Sequence, residues 1–374
     1  MKCPRCQTTK SKYFQKVSNR YYCRRCIMFG RVFLDEKLET KEISYPNRCI
    51  DYHLDYSLSQ QQKEVATSLV NNYKQGKNAV VLAVCGSGKT EIIYDSIKTV
   101  LNEGKRVCLA IPRKSLVIEL ATRIQKQFIN ITPELFYGGH AGNIDGQLII
   151  CTTHQLYRFH RQFSLLILDE TDAFPYYKDE LLEDMLFQSI KGQFIFMSAT
   201  LTRDDFNDVS FYVLNRRYHH VDLPVPKIKY LPQICWIGYI KKYLRHCLKP
   251  VLIFVPRIKD FKIFQSNFTS SKFECISSKT LNSEKIIEKL KRKELDFIVT
   301  TTILERGITI EDVQVIVYDA SHGVFNTETL IQIAGRVGRS PKFPTGEVIY
   351  LSNQKSKAMK KSIARIVHLN KMSV

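Results

Sequence analysis

The chain has 374 residues, 44% of them hydrophobic and 11% aromatic, with a formal net charge of +20 and a pI near 9.4. That length fits two large domains and a small module better than one domain. No apolar run approaches the roughly 18 residues that cross a bilayer, and the opening Met1-Lys2-Cys3-Pro4 lacks the apolar stretch of a signal peptide, so a soluble cytosolic chain is expected. The charge favours a polyanion such as nucleic acid, although a Lys-rich composition alone also produces it.

The first 50 residues carry twelve Lys and Arg against four Asp and Glu and show little helical periodicity. Cys3-x-x-Cys6 and Cys23-x-x-Cys26 are separated by sixteen residues, the spacing of a structural zinc site in which four thiolates close a tetrahedron. Eleven cysteines scattered through so long a chain do not make a disulfide framework. Arg5, Arg24 and Arg25 within the pairs, with Tyr13, Tyr21 and Tyr22 between them, would offer a single strand charge and stacking surface. Filling of a small core and contact with a partner protein are open alternatives. The zinc module is expected to occupy residues 1–48.

From Leu58 onward short apolar runs alternate with helical patterns, the signature of parallel sheets covered on both faces. One set of expected strands is Ala79–Val84, Arg106–Ile111, Gln147–Thr152, Leu165–Leu168 and Gln193–Met197. A second is Pro250–Val255, Phe273–Ile276, Asp296–Thr300, Val313–Tyr318 and Gly346–Leu351. Prolines in Val221-Asp222-Leu223-Pro224-Val225-Pro226 cannot continue a helix and mark the linker, which gives domains at 49–222 and 223–374. The fold class is α/β, two similar domains in tandem behind the module.

Ala83-Val84-Cys85-Gly86-Ser87-Gly88-Lys89-Thr90 follows a strand and precedes a helical run, the order of a phosphate-binding loop. Backbone N–H groups and a helix N-terminus would face phosphates, Lys89 would reach the β/γ-phosphates and Thr90 would hold Mg²⁺. Ala83 stands where the usual pattern begins with Gly. Leu165-Leu166-Ile167-Leu168-Asp169-Glu170-Thr171-Asp172 is an apolar strand ending in carboxylates at the edge where open α/β sheets bind ligands. Asp169 is expected to bind Mg²⁺ and Glu170 to act as base on the attacking water. Ser198-Ala199-Thr200 follows a further strand, with hydroxyls that could bond Asp172. Gln332-Ile333-Ala334-Gly335-Arg336-Val337-Gly338-Arg339 puts Arg336 and Arg339 on one face of a helix or turn, where two guanidinium groups could meet a transferring phosphoryl group. Cys85, Cys108, Cys151 and Cys275 read as small core hydrophobes, and His154 as either a sensor or a packed strand-end histidine.

These motifs, with Leu58-Ser59-Gln60-Gln61-Gln62, Ile111-Pro112-Arg113, Thr152-Thr153-His154-Gln155 and Thr301-Thr302-Ile303-Leu304-Glu305-Arg306-Gly307, resemble superfamily 2 helicases over most of the chain. The resemblance implies two RecA-like motor domains that use ATP. By it Gln62 would read adenine, Gly86, Ser87, Gly88 and Gln332 would contact the nucleotide, and Arg306 would bind or sense it. Arg113, Thr153 and Thr301 would face the nucleic-acid backbone, and Arg336 and Arg339 would be finger arginines. The four-cysteine module, Thr-Thr-His-Gln-Leu, and Asp-Ala-Phe-Pro after the carboxylates are similar to the ComFA family of Gram-positive natural transformation, from which Thr171 departs in place of a usual Val. That likeness implies single-stranded DNA uptake at the inner face of the membrane. Its partners would be competence proteins including the DNA channel, and self-association is left open. A replication-restart or repair helicase shares the motor motifs and is the alternative. A zinc-bearing scaffold with a decayed ATPase is disfavoured, because Lys89, Thr90, Asp169, Glu170, Arg336 and Arg339 all occur together.

Overall fold

The computed structural model describes residues 1–38, 40–46, 48–84, 86–171, 179–200, 203, 206, 208–219, 221–305 and 310–372. Packing divides the chain into two compact units, Met1–Ala83 with Lys89–Val213, and Val84–Gly88 with Leu214–Val374.

The first unit opens with an antiparallel hairpin, β1 (Phe14–Val17) and β2 (Arg20–Cys23), turned by Ser18 and Asn19, both at positive φ. Such a two-residue turn matches the strands' twist and sets their register. There follow β3 (Asp51–Tyr52), α1 (Gln60–Lys74), β4 (Ala79–Ala83), α2 (Tyr94–Asn102), β5 (Val107–Ile111) and α3 (Lys114–Gln127). Then come β6 (Phe128–Ile129), β7 (Glu134–Tyr137), β8 (His140–Ala141), β9 (Leu148–Thr152), β10 (Phe163–Asp169), α4 (Glu180–Ser189), β11 (Ile190–Ser198) and β12 (Ser210–Leu214).

The main sheet has the order β12-β4-β11-β10-β5-β9-β7-β8, in which β4, β11, β10, β5, β9 and β7 run parallel to one another and β8 is antiparallel to β7. Every residue of β4 (AVVLA), β5 (VCLAI) and β9 (LIICT) is buried, as strands covered on both faces must be. Helix α1 starts at a reciprocal cap: the Gln62 N–H donates to Ser59 Oγ at 3.3 Å, and the Ser59 N–H to Gln62 Oε1 at 2.7 Å.

The second unit contains β13 (Lys227–Tyr230), α5 (Trp236–His246), β14 (Val251–Phe254), α6 (Phe261–Asn267), β15 (Phe273–Ile276), α7 (Ser283–Lys291) and β16 (Phe297–Thr300). It continues with β17 (Gln314–Tyr318), α8 (Thr327–Ala334), β18 (Val348–Ser352) and α9 (Lys357–Lys371). Its sheet, β13-β18-β17-β14-β16-β15, is parallel throughout. Trp236, Phe264, Phe297 and Tyr318 fill one face, and the Trp236 indole donates to the Leu231 carbonyl at 2.9 Å, which satisfies its buried N–H.

Every apolar run read as a strand forms one, and the two parallel sheets in tandem are RecA-like, as the resemblance implied. The structure adds the short strands β7 and β8 at one end of the first sheet, the edge strands β12 and β13, and the ribbon of β3 with β6. Among the described residues no helix is long and apolar enough to cross a membrane.

Candidate nucleotide site and metal centre

In a parallel sheet all strands end at the same edge, so the loops that follow them converge there. Strand β11 lies between β4 and β10, so the glycine-rich loop after β4 and the carboxylates after β10 flank the Ser-Ala-Thr turn after β11. Gly86 and Gly88 have φ of +84° and +72°, backbone that glycine adopts without strain and that is common in loops that bind anions. Ser87 is buried, and Thr90 leads into a short 3₁₀ turn and then α2.

Lys89 Nζ lies 2.9 Å from Asp169 Oδ1, with both side chains about one-fifth exposed. Burial pushes the Asp169 carboxyl above the usual carboxylate range, and the Lys89 ammonium pulls against that shift. Glu170 sits at φ +61°, in the left-handed region that a non-glycine residue occupies at a cost of about 1 kcal/mol. Its N–H donates to the Met197 carbonyl at 3.0 Å and to Asp169 Oδ1 at 2.9 Å, which holds the strained backbone and leaves the Glu170 side chain 8% exposed beside the pair. Ser198 Oγ and Thr200 Oγ1 are 3.2 Å apart, and the Thr200 N–H donates to Ser198 Oγ. The expected partner Asp172 lies outside the described residues, as do Arg306 and Cys85.

The donors fit a magnesium nucleotide. An anionic carboxylate at the strand end, a hydroxyl on Thr90, a lysine and glycine-turned N–H groups are what Mg²⁺ and phosphates require. Gln62, the expected adenine reader, is 4% exposed with its Oε1 engaged in the α1 cap.

Arg113 is partly exposed at the N-cap of α3, and Thr301 partly exposed after β16. Thr153 differs from expectation: it is fully buried at the start of the Thr153–Arg158 turn, so its hydroxyl has no route to a phosphate in this arrangement. The polar groups open on that turn are Arg158, exposed, with Gln155 and His154 partly so, and burial lowers the His154 pKa.

In the second unit α8 ends at Ala334, so Arg336 and Arg339 lie in the turn beyond it rather than on the helix. Gln332 and Arg336 are buried, and Arg339 Nε donates to the Gly335 carbonyl at 3.0 Å. This turn is gripped by Arg217, a residue that motif reading missed. The guanidinium of Arg217 is buried and donates to the carbonyls of Val337 at 2.6 Å, Gly338 at 2.5 Å and Gly335 at 3.1 Å, a cation against a helix C-terminus. Gly338, at φ +71°, must lack a side chain, since a Cβ there would collide with the Pro344 carbonyl and lie 2.9 Å from Arg217 Nη1. The basic run Asn215-Arg216-Arg217-Tyr218-His219 was the only sequence signal.

Cys3, Cys6, Cys23 and Cys26 are buried, and their sulfurs all lie within 4.8 Å of one another. The Cys3–Cys26 and Cys6–Cys23 sulfur pairs are each 3.8 Å apart. That is far beyond an S–S bond of about 2.05 Å, and it matches the edge of about 3.8 Å for a tetrahedron of 2.3 Å Zn–S bonds. Hydrogen bonding from Cys26 and Cys3 lowers the pKa of the Cys6 thiol while that of Cys26 is pushed up, a crowding of thiols that a cation would relieve. The cluster could hold zinc. Cys108 and Cys151 are core residues on neighbouring strands, whereas Cys275 is only half-buried.

Two RecA-like sheets, a phosphate loop and strand-end carboxylates define an ATP-hydrolysing helicase of superfamily 2. Residues 59–209 match the DEAD/DEAH box helicase family, and residues 227–341 match the helicase conserved C-terminal domain. The yeast Dbp5 structure bound to RNA and ADP BeF3 (S. cerevisiae) shares the fold at a TM-score of 0.60 and 17% identity, covering 84% of this chain and 92% of that one.

The chain is 34% identical to competence protein ComFA of Streptococcus pneumoniae (strain ATCC BAA-255 / R6), over 99% of its length and 90% of that protein. It is 32% identical to competence protein ComFA of Bacillus subtilis (strain 168), over 100% of its length and 86% of that protein. It belongs to the ComFA family. Replication restart protein PriA of Rickettsia prowazekii (strain Madrid E) is 24% identical over 65% of this chain and 42% of that protein.

Two outcomes follow from this geometry. Metal analysis of reductively purified protein should give one zinc per chain, lost with local unfolding when Cys3 and Cys23 become Ser; a metal-free, folded wild type would contradict the assignment. The Thr171 Oγ1 is buried with no hydrogen-bond partner among the described residues, a cost of about 1–3 kcal/mol. Thr171→Val should therefore raise the thermal midpoint or leave it unchanged, with ATP turnover kept; a lowered midpoint in calorimetry would show that the hydroxyl is used.

Proposed function

We propose that this chain is an ATP-driven translocase on single-stranded DNA that serves uptake of transforming DNA during natural competence. The observation that carries the reading is the Lys89–Asp169 pair with Glu170 beside it at the carboxyl edge of the first sheet, in a chain of the ComFA family. In this reading Gly86, Ser87, Gly88 and Lys89 hold the phosphates, and Thr90 with Asp169 holds Mg²⁺. Glu170 orients and deprotonates the attacking water, and Arg336 and Arg339 meet the charge that develops on the transferred phosphoryl group. Gln62, Gln332 and Arg306 are assigned to the nucleotide, and Arg113, Thr301 and the Thr153–Arg158 turn to the DNA backbone. Zinc in the four-cysteine cluster folds residues 1–48, while residues 49–222 and 223–374 act as the two motor domains.

The +20 charge supports a polyanionic track. A chain with no membrane-crossing helix among its described residues would work at the inner face of the membrane by docking on other competence proteins, the DNA channel among them. Likeness to a replication restart helicase favours a second reading, duplex unwinding in restart or repair.

Lys89→Ala and Glu170→Gln should each lower ATP turnover by on the order of 10²–10³ or more, with Glu170→Gln still binding ATP. In a transformable host Lys89→Ala should abolish transformation by added DNA with growth and ultraviolet survival normal. A slow-growing, ultraviolet-sensitive strain that still transforms would establish the restart or repair reading instead.

A further inference from the structure

The four-cysteine module grips the first unit through the residues inside its two Cys-x-x-Cys knuckles. Arg5, between Cys3 and Cys6, donates to the carbonyls of Phe29 at 3.1 Å and Gly30 at 2.8 Å, and its guanidinium lies over the Tyr157 ring, 5.5 Å from the centroid. Phe29, just past the second knuckle, packs its ring 5.1 Å from Tyr157 and 6.2 Å from His154. Arg25, between Cys23 and Cys26, forms ion pairs with Asp184 and Glu180 of α4. Met185 of α4 lies in the same apolar cluster as the four cysteines, with Tyr157 and Leu181 packed against it.

The turn lies at the carboxyl edge, and α4 starts from that side and runs back to the amino end of β11. The turn Thr153–Arg158 follows β9, α4 leads from the Asp169 strand into β11, and turn and helix pack against each other. A module this small has too little apolar core to fix Arg5, Arg25 and Phe29 without a metal.

We propose that the metal module is a clamp that holds the Thr153–Arg158 turn against α4, so that metal occupancy sets the order of the DNA-facing edge. The module then acts through Phe29, Arg5 and Arg25 as positioning residues, and its exposed hairpin is not a second, independent binding surface. The consequence for DNA rests on the translocase reading; the clamp itself does not.

The test is hydrogen exchange of the zinc-loaded full chain, read at residues 153–158 and 180–189, alongside zinc content and binding of a labelled oligothymidine. Phe29→Ala should keep one zinc, speed exchange along 153–158 and weaken the oligonucleotide about three- to tenfold, the factor that loss of an aromatic pair implies. Lys16→Ala with Arg20→Ala, on the exposed hairpin, should leave exchange in both segments unchanged and affinity within about twofold. Should Phe29→Ala shed its zinc, Arg25→Gln replaces it, with faster exchange along 180–189 and zinc retained as the expected result. Unchanged exchange in the clamped segments, or affinity lost only in the hairpin variant, overturns the clamp. A wild type that binds no oligothymidine would sink the translocase reading while the exchange result still decides the clamp.

Discussion

The charge pair between Lys89 and Asp169 is the contact on which the rest of the first unit depends. Neighbouring strands are about 4.8 Å apart, so β4 and β10, with β11 between them, stand roughly 10 Å apart, a gap only a long side chain closes. Lys89 closes it from the loop side because Gly86 and Gly88 turn the backbone through angles no other residue adopts freely. The intervening strand contributes through Met197, whose carbonyl holds the strained Glu170 backbone. A buried carboxylate that close to an ammonium, with a second acid fixed beside it, is a place where a divalent cation and an anionic phosphate can replace each other's partner without exposing a bare charge.

A comparable device orders the second unit. Arg217 is a buried cation whose guanidinium donates to the carbonyls just past the C-terminal end of α8. The turn bearing Arg336 and Arg339 is thereby fixed by backbone groups, and Gly338 is required because a Cβ there would collide with the Pro344 carbonyl. At the N-terminus the same logic applies on a smaller scale: four thiols replace a core too small to fold alone, and the arginines between them reach outward to the turn after β9 and to α4.

What repeats, or what chemistry spaces, is legible in the sequence. Fully buried parallel strands are continuous apolar runs, so β4, β5, β9, β14, β17 and β18 were plain in the sequence, as were the cysteine spacing and the order loop, carboxylates, hydroxyls, arginines. Edge strands such as β12 and β13 are short and mixed in exposure, with no period to read. Side-chain direction was equally hidden. Thr153 stands in a motif assigned to DNA yet points into the core, Gln62 spends its carbonyl on a helix cap, and Arg336 lies in a turn where the pattern allowed a helix. Arg217 belongs to no motif, because its partners are backbone carbonyls far along the chain, which composition cannot announce.

In the translocase reading, hydrolysis at the Lys89–Asp169 site is driven by a single strand of DNA. Its most direct measurement is the rate of ATP hydrolysis by the zinc-loaded chain with single-stranded DNA, duplex DNA and RNA in parallel across a salt series. Strong stimulation by single-stranded DNA alone is expected, with an apparent affinity that falls steeply as salt rises because bound phosphates release counterions. Equal rates with and without single-stranded DNA, or stimulation by duplex or RNA in its place, would contradict it.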